Sequence, residues 1–439
     1  MSTFVVAVIL FVITYVLLFA FPKFRHYVAL GSAVVFSLWL SLLCKDVDFT
    51  LKNIISAIDF NVLMMIAGTM GIVVLFIESK MPMRIADILL SKLKNVKWAI
   101  IIMALLAGVV SAFIDNVATV LMLAPIALAV CKKQNISPVA PIVCIAVSSN
   151  LQGAATLVGD TTSILLGGYA NMNFFDFFVF NGRPGIFFAV ELGALLTIFI
   201  LAYLFRKETK PLKLTDKTEV TDYVPTFLML GVIVSLFLAS FIKEPESGVW
   251  STIYNLRNGF ICITLLIVGL VINLIKTKEF KMTKQVFKEI DYATLLLLAS
   301  LFVVIEGIAS AGVITKLSHL LVDLGGNSLL LMYVIIVFAS VLISAFVDNI
   351  PYVITMLPVV SSVASEMGVA PYVLYFGLLI GATLGGNITP IGASANITGI
   401  GILRKEGHVV KVKDFMRISI PFTLTAVISG ATFIWIFFC

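Results

Sequence analysis

Apolar runs dominate the chain, and their lengths set the first reading. Runs long enough to cross about 30 Å of hydrocarbon fall near residues 3–21, 27–44, 60–78 and 185–205, then near 225–243, 258–276, 292–309 and 418–437. Two more, about 138–170 and 370–403, are interrupted by polar, glycine-rich stretches. Together these predict ten crossings. Two further apolar stretches, about 97–131 and 328–365, carry an Asp-Asn pair at their centre. Each arm beside the pair is short for a crossing, so each stretch is predicted to be a helical hairpin that enters and leaves by one face. Segments 80–96 and 313–326 mix charge with apolar residues and are predicted to lie as helices at the interface.

The polar positions inside these runs are not scattered. Residues 111–159 return as 344–392 at a constant offset of 233, with no gap. Ser111-Ala112-Phe113-Ile114-Asp115-Asn116 returns as Ser344-Ala345-Phe346-Val347-Asp348-Asn349. Pro125, Pro138, Gly153, Thr156 and Gly159 return as Pro358, Pro371, Gly386, Thr389 and Gly392. An apolar chain that duplicates a carboxylate, an amide, prolines and glycines has the pattern of a transporter built from internal repeats. The halves are 1–205 and 225–439, joined by a polar linker at 206–224. Five crossings per half is an odd number, which predicts that the two copies are inverted.

Composition and charge agree with this reading. The 439 residues are 60% hydrophobic and 12% charged, against about 25% charged for soluble domains, and the mean hydropathy is +1.11. The partner this implies is the lipid bilayer; a net charge of +6 follows membrane topology and is no sign of nucleic-acid binding. With the linker placed in the cytoplasm, 24 of the 30 Lys and Arg fall inside and six (Lys45, Lys52, Arg183, Lys243, Arg257, Lys316) outside, as the positive-inside rule requires. Both termini are then predicted outside, in a multi-pass plasma-membrane protein. The first apolar run lacks a basic n-region and a small-residue cleavage site, so it reads as a crossing. Cys44, Cys131, Cys144, Cys262 and Cys439 show no metal or redox spacing and read as free thiols.

Four elements carry the chemistry if the repeats pack about a pseudo-two-fold axis: the tips Asp115-Asn116 and Asp348-Asn349, and the breaks 148–163 and 383–396. Non-helical backbone at membrane depth is tolerated where it lines a cavity or is packed in protein. Its freed carbonyls suit Na⁺, while half-helix N-termini suit an anion. A charged Asp near the bilayer centre costs at least about 2.5–3.5 kcal/mol, so Asp115, Asp348 and Asp160 are expected to bind Na⁺, carry protons, or both. Each is also placed to cap a helix, a role compatible with ion binding. No Lys or Arg lies in either tip or either break, and an acidic site with no fixed base favours cation or proton coupling. Glu306, mid-span, is a second-tier candidate. Glu78 and the three histidines fall near boundaries and read as solvated or interfacial.

There is no phosphate-loop motif, so the chain holds no ATP motor of its own. Hydrolase motifs are absent too, and no enzyme activity or cofactor is expected beyond Na⁺ or H⁺ as coupling ions.

The paired F-[IV]-D-N-[VI] tips, with breaks G-A-A-T-L-V-G-D and G-G-N-I-T-P-I-G-A-S-A-N, resemble the ion transporter superfamily. Its members include ArsB-type arsenite permeases, NhaD-type sodium/proton antiporters, citrate and dicarboxylate carriers and the P protein. The resemblance implies an all-α polytopic membrane protein with inverted five-crossing repeats, two re-entrant hairpins and two broken helices. It further implies a scaffold that forms a homodimer and a transport domain that moves as an elevator. The first-half site would use Asp115, Asn116, Asn150, Asp160, Thr161 and Thr162. Its partner would use Asp348, Asn349, Asn387, Thr389, Ser394 and Asn396. Na⁺ would sit at Asp115 and Asn116, and at Asp348 and Asn349.

The expected function is ion-coupled secondary transport by alternating access, with Na⁺/H⁺ coupling first. A coupled small anion or oxyanion (arsenite, a dicarboxylate, citrate) is one alternative. A gated ion channel is the other, separable by its inability to concentrate a substrate. Loss of either tip carboxylate, in Asp115→Asn or Asp348→Asn, is expected to abolish coupled transport.

Overall fold

Helices account for most of the chain, and capping side chains set where several of them begin. The computed structural model describes residues 2–44, 49–211, 218–245, 248–326 and 328–439. Lys45 of the charge count and residues 212–217 of the linker lie outside the described residues. The first half runs α1 (Thr3–Ala20), α2 (Arg25–Leu43), α3 (Leu51–Ala57), α4 (Phe60–Glu78), α5 (Met81–Leu90), α6 (Val96–Ser111), α7 (Asn116–Gln134), α8 (Val139–Gly153), α9 (Thr161–Tyr169) and α10 (Ile186–Leu204). The second runs α11 (Val224–Ala239), α12 (Val249–Asn255), α13 (Arg257–Thr277), α14 (Lys281–Glu289), α15 (Tyr292–Ser310), α16 (Val313–Gly325), α17 (Leu329–Ser344), α18 (Asn349–Glu366), α19 (Tyr372–Gly385), α20 (Ser394–Lys405) and α21 (Val412–Phe438).

The capping is duplicated with the sequence. Asp59 and Asp291 accept from Val62 N and Thr294 N to start α4 and α15, each at 3.0 Å. Asn95 and Ser328 do the same for α6 and α17. Such caps satisfy amides that the first helical turn leaves free. Short non-helical segments separate α6 from α7, α8 from α9, α17 from α18 and α19 from α20. Among the described residues, seven helices are long and apolar enough to cross a membrane, and α7 is one of them. The expectation that every hairpin arm is too short to cross therefore fails for α7. The short helices α3, α12 and α14, and a two-strand ribbon pairing Val179–Phe180 with Arg183–Pro184, have no counterpart in the sequence reading.

The halves interlock instead of lying side by side. α4 packs on α13, α2 on α15, α20 on α7 and α8, and α9 on α18 and α19. α6 and α7 flank α8, as α17 and α18 flank α19. The linker is likewise tied down: Val96 N and Lys97 N donate to Lys210 O and Glu208 O. Each tip meets its own break backbone to backbone. A Cβ at Gly159 would lie 2.6 Å from Gly153 O and 2.7 Å from Ala112 O; one at Gly392 would lie 2.5 Å from Gly386 O and 2.8 Å from Ala345 O. Only glycine fits there.

Candidate ion-binding site

Both tip aspartates cap the second arm of their hairpin. Asp115 Oδ2 accepts from Val117 N at 2.9 Å and Ala118 N at 3.4 Å, and Asp348 Oδ1 accepts from Ile350 N at 3.1 Å. Thr156 and Thr389 donate to the tip carbonyls of Ala112 and Ala345, which locks each break to its tip. The two halves then meet in a shared polar seam. Asn116 donates to Asn150 Oδ1 at 3.0 Å, and Asn150 donates to Thr383 O at 2.7 Å. Asn349 also reaches Thr383 O, at 3.4 Å, and Asn387 donates to Val147 O at 2.9 Å.

Asp160 begins α9. Its Oδ1 accepts from Thr161 N at 2.8 Å and its Oδ2 from Thr162 Oγ1 at 2.7 Å, while Thr162 meets Thr383 Oγ1 at 2.8 Å. Asp115 and Asp160 face one another across a small cavity of about 20 Å³, enough for one water-sized particle. Thr69 of α4 and Thr161 join its lining, and among the described residues no cationic side chain does. This cavity adjoins a larger one of about 620 Å³, lined by Asp115, Asn116, Asn150, Asp160 and Thr161 from the first half and by Asp348, Asn349 and Ser394 from the second. Thr162, Asn387, Thr389 and Asn396 stand behind this surface. Asn387 and Asn396 are 1% and 0% exposed, and their side-chain oxygens find no hydrogen-bond donor among the described residues.

One expectation is overturned. The site does hold a fixed base: Arg25, the first residue of α2, forms an ion pair with Asp348 Oδ2. It was missed because only residues inside the tips and breaks were weighed, and Arg25 lies 323 positions from Asp348. Thr69 and Asp291, also on the cavity walls, were missed for the same reason. Glu306 is elsewhere. It lines a second cavity of about 840 Å³ with Asp59 and Arg257, away from both tips.

The two half-helices also differ. Asp160 caps α9, but position 393, its counterpart, is alanine, and no side chain caps α20. The first half thus presents two carboxylates without a base. The second presents one carboxylate already paired, beside an open helix N-terminus.

Residues 8–381 match the citrate transporter family. An uncharacterized transporter of Mycobacterium tuberculosis is 28% identical over 436 residues, covering 98% of each chain. A 46 kDa membrane protein of Mycobacterium leprae is 28% identical over 439 residues with the same coverage. The human P protein is 26% identical over 88% of this chain and 54% of its own length. Among solved structures, the Alcanivorax borkumensis YdaH transporter superposes with a TM-score of 0.59 at 13% identity, over 94% of this chain and 96% of that one. Neisseria gonorrhoeae MtrF, described as illuminating a class of antimetabolite efflux pumps, gives 0.58 at 15% identity, over 88% and 82%. These two likenesses speak to the fold alone.

Proposed function

Given that the chain belongs to the citrate transporter family and is a multi-pass membrane transporter, we propose that it is a cation-coupled secondary transporter whose coupling cation, Na⁺ or H⁺, binds between Asp115 and Asp160. The observation that carries this is the small cavity where two carboxylates and two threonines converge with no base on its wall. Oxygen donors of this kind suit a hard cation, and paired acids also suit proton exchange. Binding there offsets the cost of holding two buried carboxylates close together.

The inverted-repeat reading is supported by helix starts that recur 232 or 233 residues apart from α4 to α9 and from α15 to α20. In this reading α1, α2, α4, α11, α13 and α15 form the scaffold, through which two copies pair. The hairpins and broken helices form the body that moves as an elevator. The side carrying most of the Lys and Arg is taken as cytoplasmic, and the cavity holding both tips opens toward it through Lys23, Arg25 and Glu289.

A second reading has its own observation. The uncapped N-terminus of α20, with Ser394 and Thr398 on the cavity wall, can receive an anionic group, so a carboxylate or oxyanion is co-substrate where one is carried.

The test is proton movement driven by a Na⁺ gradient in liposomes holding the purified protein, with Asp115→Asn as control. Flux that needs both Na⁺ and the aspartate is expected. If wild type and Asp115→Asn are alike, the cation site is misassigned. If neither moves protons, uptake of arsenite and dicarboxylates under Na⁺ or H⁺ gradients decides for the second reading. A flux that only dissipates gradients would instead mark a channel.

A further inference from the structure

Arg25 has a counterpart that the site does not use. Arg257 stands 232 residues later and is the first residue of α13, as Arg25 is of α2. The helices they begin are exchanged between halves, α2 lying on α15 and α13 on α4. Each arginine therefore stands beside the N-terminus of a crossing from the other half, and each lines a large cavity there. Their surroundings differ in one respect. Arg25 is paired with Asp348. Arg257 makes no ion pair among the described residues. It donates to its neighbour Tyr254 O at 2.9 Å, stacks on the Tyr254 ring at 3.8 Å, and leaves its buried Nε without an acceptor.

Two further pairs of equivalent positions carry the same asymmetry. Leu121, on the Arg25 side, is 51% exposed, whereas Ile354, its equivalent, is 4% exposed. Asp59 Oδ2 lies 2.6 Å from where a Cβ at Gly168 would stand, but the equivalent Gly401 has nothing within 4 Å. At these two positions the second hairpin arm and the half-helix lie tighter against their neighbours on the Arg257 side than on the Arg25 side, although a large cavity is present on each. In inverted repeats, exchanging the conformations of the two halves yields the opposite-facing state. That exchange carries Arg257 to the Asp115 tip and frees Arg25 from Asp348.

We propose that Arg25 and Arg257 are alternating counter-cations, Arg25 holding Asp348 in this state and Arg257 holding Asp115 in the opposite-facing one, so that the arriving guanidinium displaces the transported cation from Asp115. This rests on the function proposed above and deepens it. Both arginines are positioning residues that set which face is open, and the first-half site releases its cation because a protein charge takes its place.

The experiment reads the facing state directly, without reference to the carried ion. In the full chain with Cys44 and Cys439 changed to Ser and the buried Cys131, Cys144 and Cys262 retained, one cysteine added at Leu121 or Ile354 is labelled in proteoliposomes by a water-soluble maleimide, against the same background without it. Arg25→Gln is expected to raise the Ile354-to-Leu121 labelling ratio about tenfold, and Arg257→Gln to lower it by a similar factor, the scale of losing one half-buried ion pair. Arg257→Lys should return the ratio toward wild type, since it keeps the charge. A bifunctional thiol reagent should join Arg257→Cys to Asp115→Cys under conditions that favour Ile354 labelling, and not under those that favour Leu121. An unchanged ratio in Arg257→Gln, or a shift of the same sign in both variants, overturns the proposal. Opposite shifts together with an absence of cation-coupled flux would retain the arginine exchange and reject the coupling role of Asp115.

Discussion

The Asp115 and Asp348 tips share a dyad, a capping geometry and a glycine-walled break, but they differ in what faces the carboxylate. Asp115 looks across a water-sized cavity at a second acid, Asp160. Asp348 looks at Arg25, and the position matching Asp160 is Ala393. Duplication preserved the parts that shape the backbone, whereas the charged partners diverged. Among the described residues, one tip carboxylate is left without a basic partner and the other has one. Symmetry of fold therefore does not make the two tips equivalent in chemistry.

The comparison can be pressed from both directions. Backbone-shaping positions should behave alike in the two halves. Gly159→Ala and Gly392→Ala each drive a methyl into carbonyl oxygens and should each cost about 3 kcal/mol, seen as similar losses of thermal stability in detergent. A large difference between them would mean that the breaks are not equivalent. Charged positions should behave oppositely. Asp348→Asn strands Arg25 and should cost about 2 kcal/mol, most of it recovered in the double variant with Arg25→Gln. Asp115→Asn removes a repelling acid and should leave stability unchanged or slightly raised. Equal melting shifts for the two aspartates would break this contrast.

Smaller effects sharpen it. Thr156→Val and Thr389→Val each remove the donor to a tip carbonyl, which leaves that buried carbonyl short of a partner. A matched loss of about 1.5 kcal/mol is expected in thermal melts. Last, α7 and α18 are both followed by a left-handed residue, Asn135 at φ 51 and Gly368 at φ 66. Gly368→Ala should cost about 1 kcal/mol and Asn135→Gly almost nothing; the reverse order in melting temperature would contradict the capping geometry.

Much of the architecture was legible in the sequence because the same local signals occur twice. Asp115-Asn116 and Asp348-Asn349 mark helix starts by capping chemistry, and Gly159 and Gly392 mark places where only backbone fits. Those are local causes, readable from neighbours in the chain. Arg25, Thr69 and Asp291 were not legible as site residues, since long-range packing of α2, α4 and α15 brings them there. Glu306 was misplaced for the complementary reason. An acid mid-span is a local signal, but which cavity it faces depends on how α15 seats between the halves. The expectation that Asp348→Asn abolishes coupled transport rested on the cost of a charged acid at membrane depth, and the ion pair with Arg25 gives that carboxylate a second role.

The most direct test of the account compares cation-coupled flux of Asp160→Asn and Asp348→Asn in liposomes, under imposed Na⁺ and H⁺ gradients. The account predicts that Asp160→Asn loses coupled flux about 100-fold or more, as for removal of a charged ligand, while Asp348→Asn retains measurable coupling. Coupled flux that survives in Asp160→Asn and vanishes in Asp348→Asn would place the cation at the other tip and contradict it.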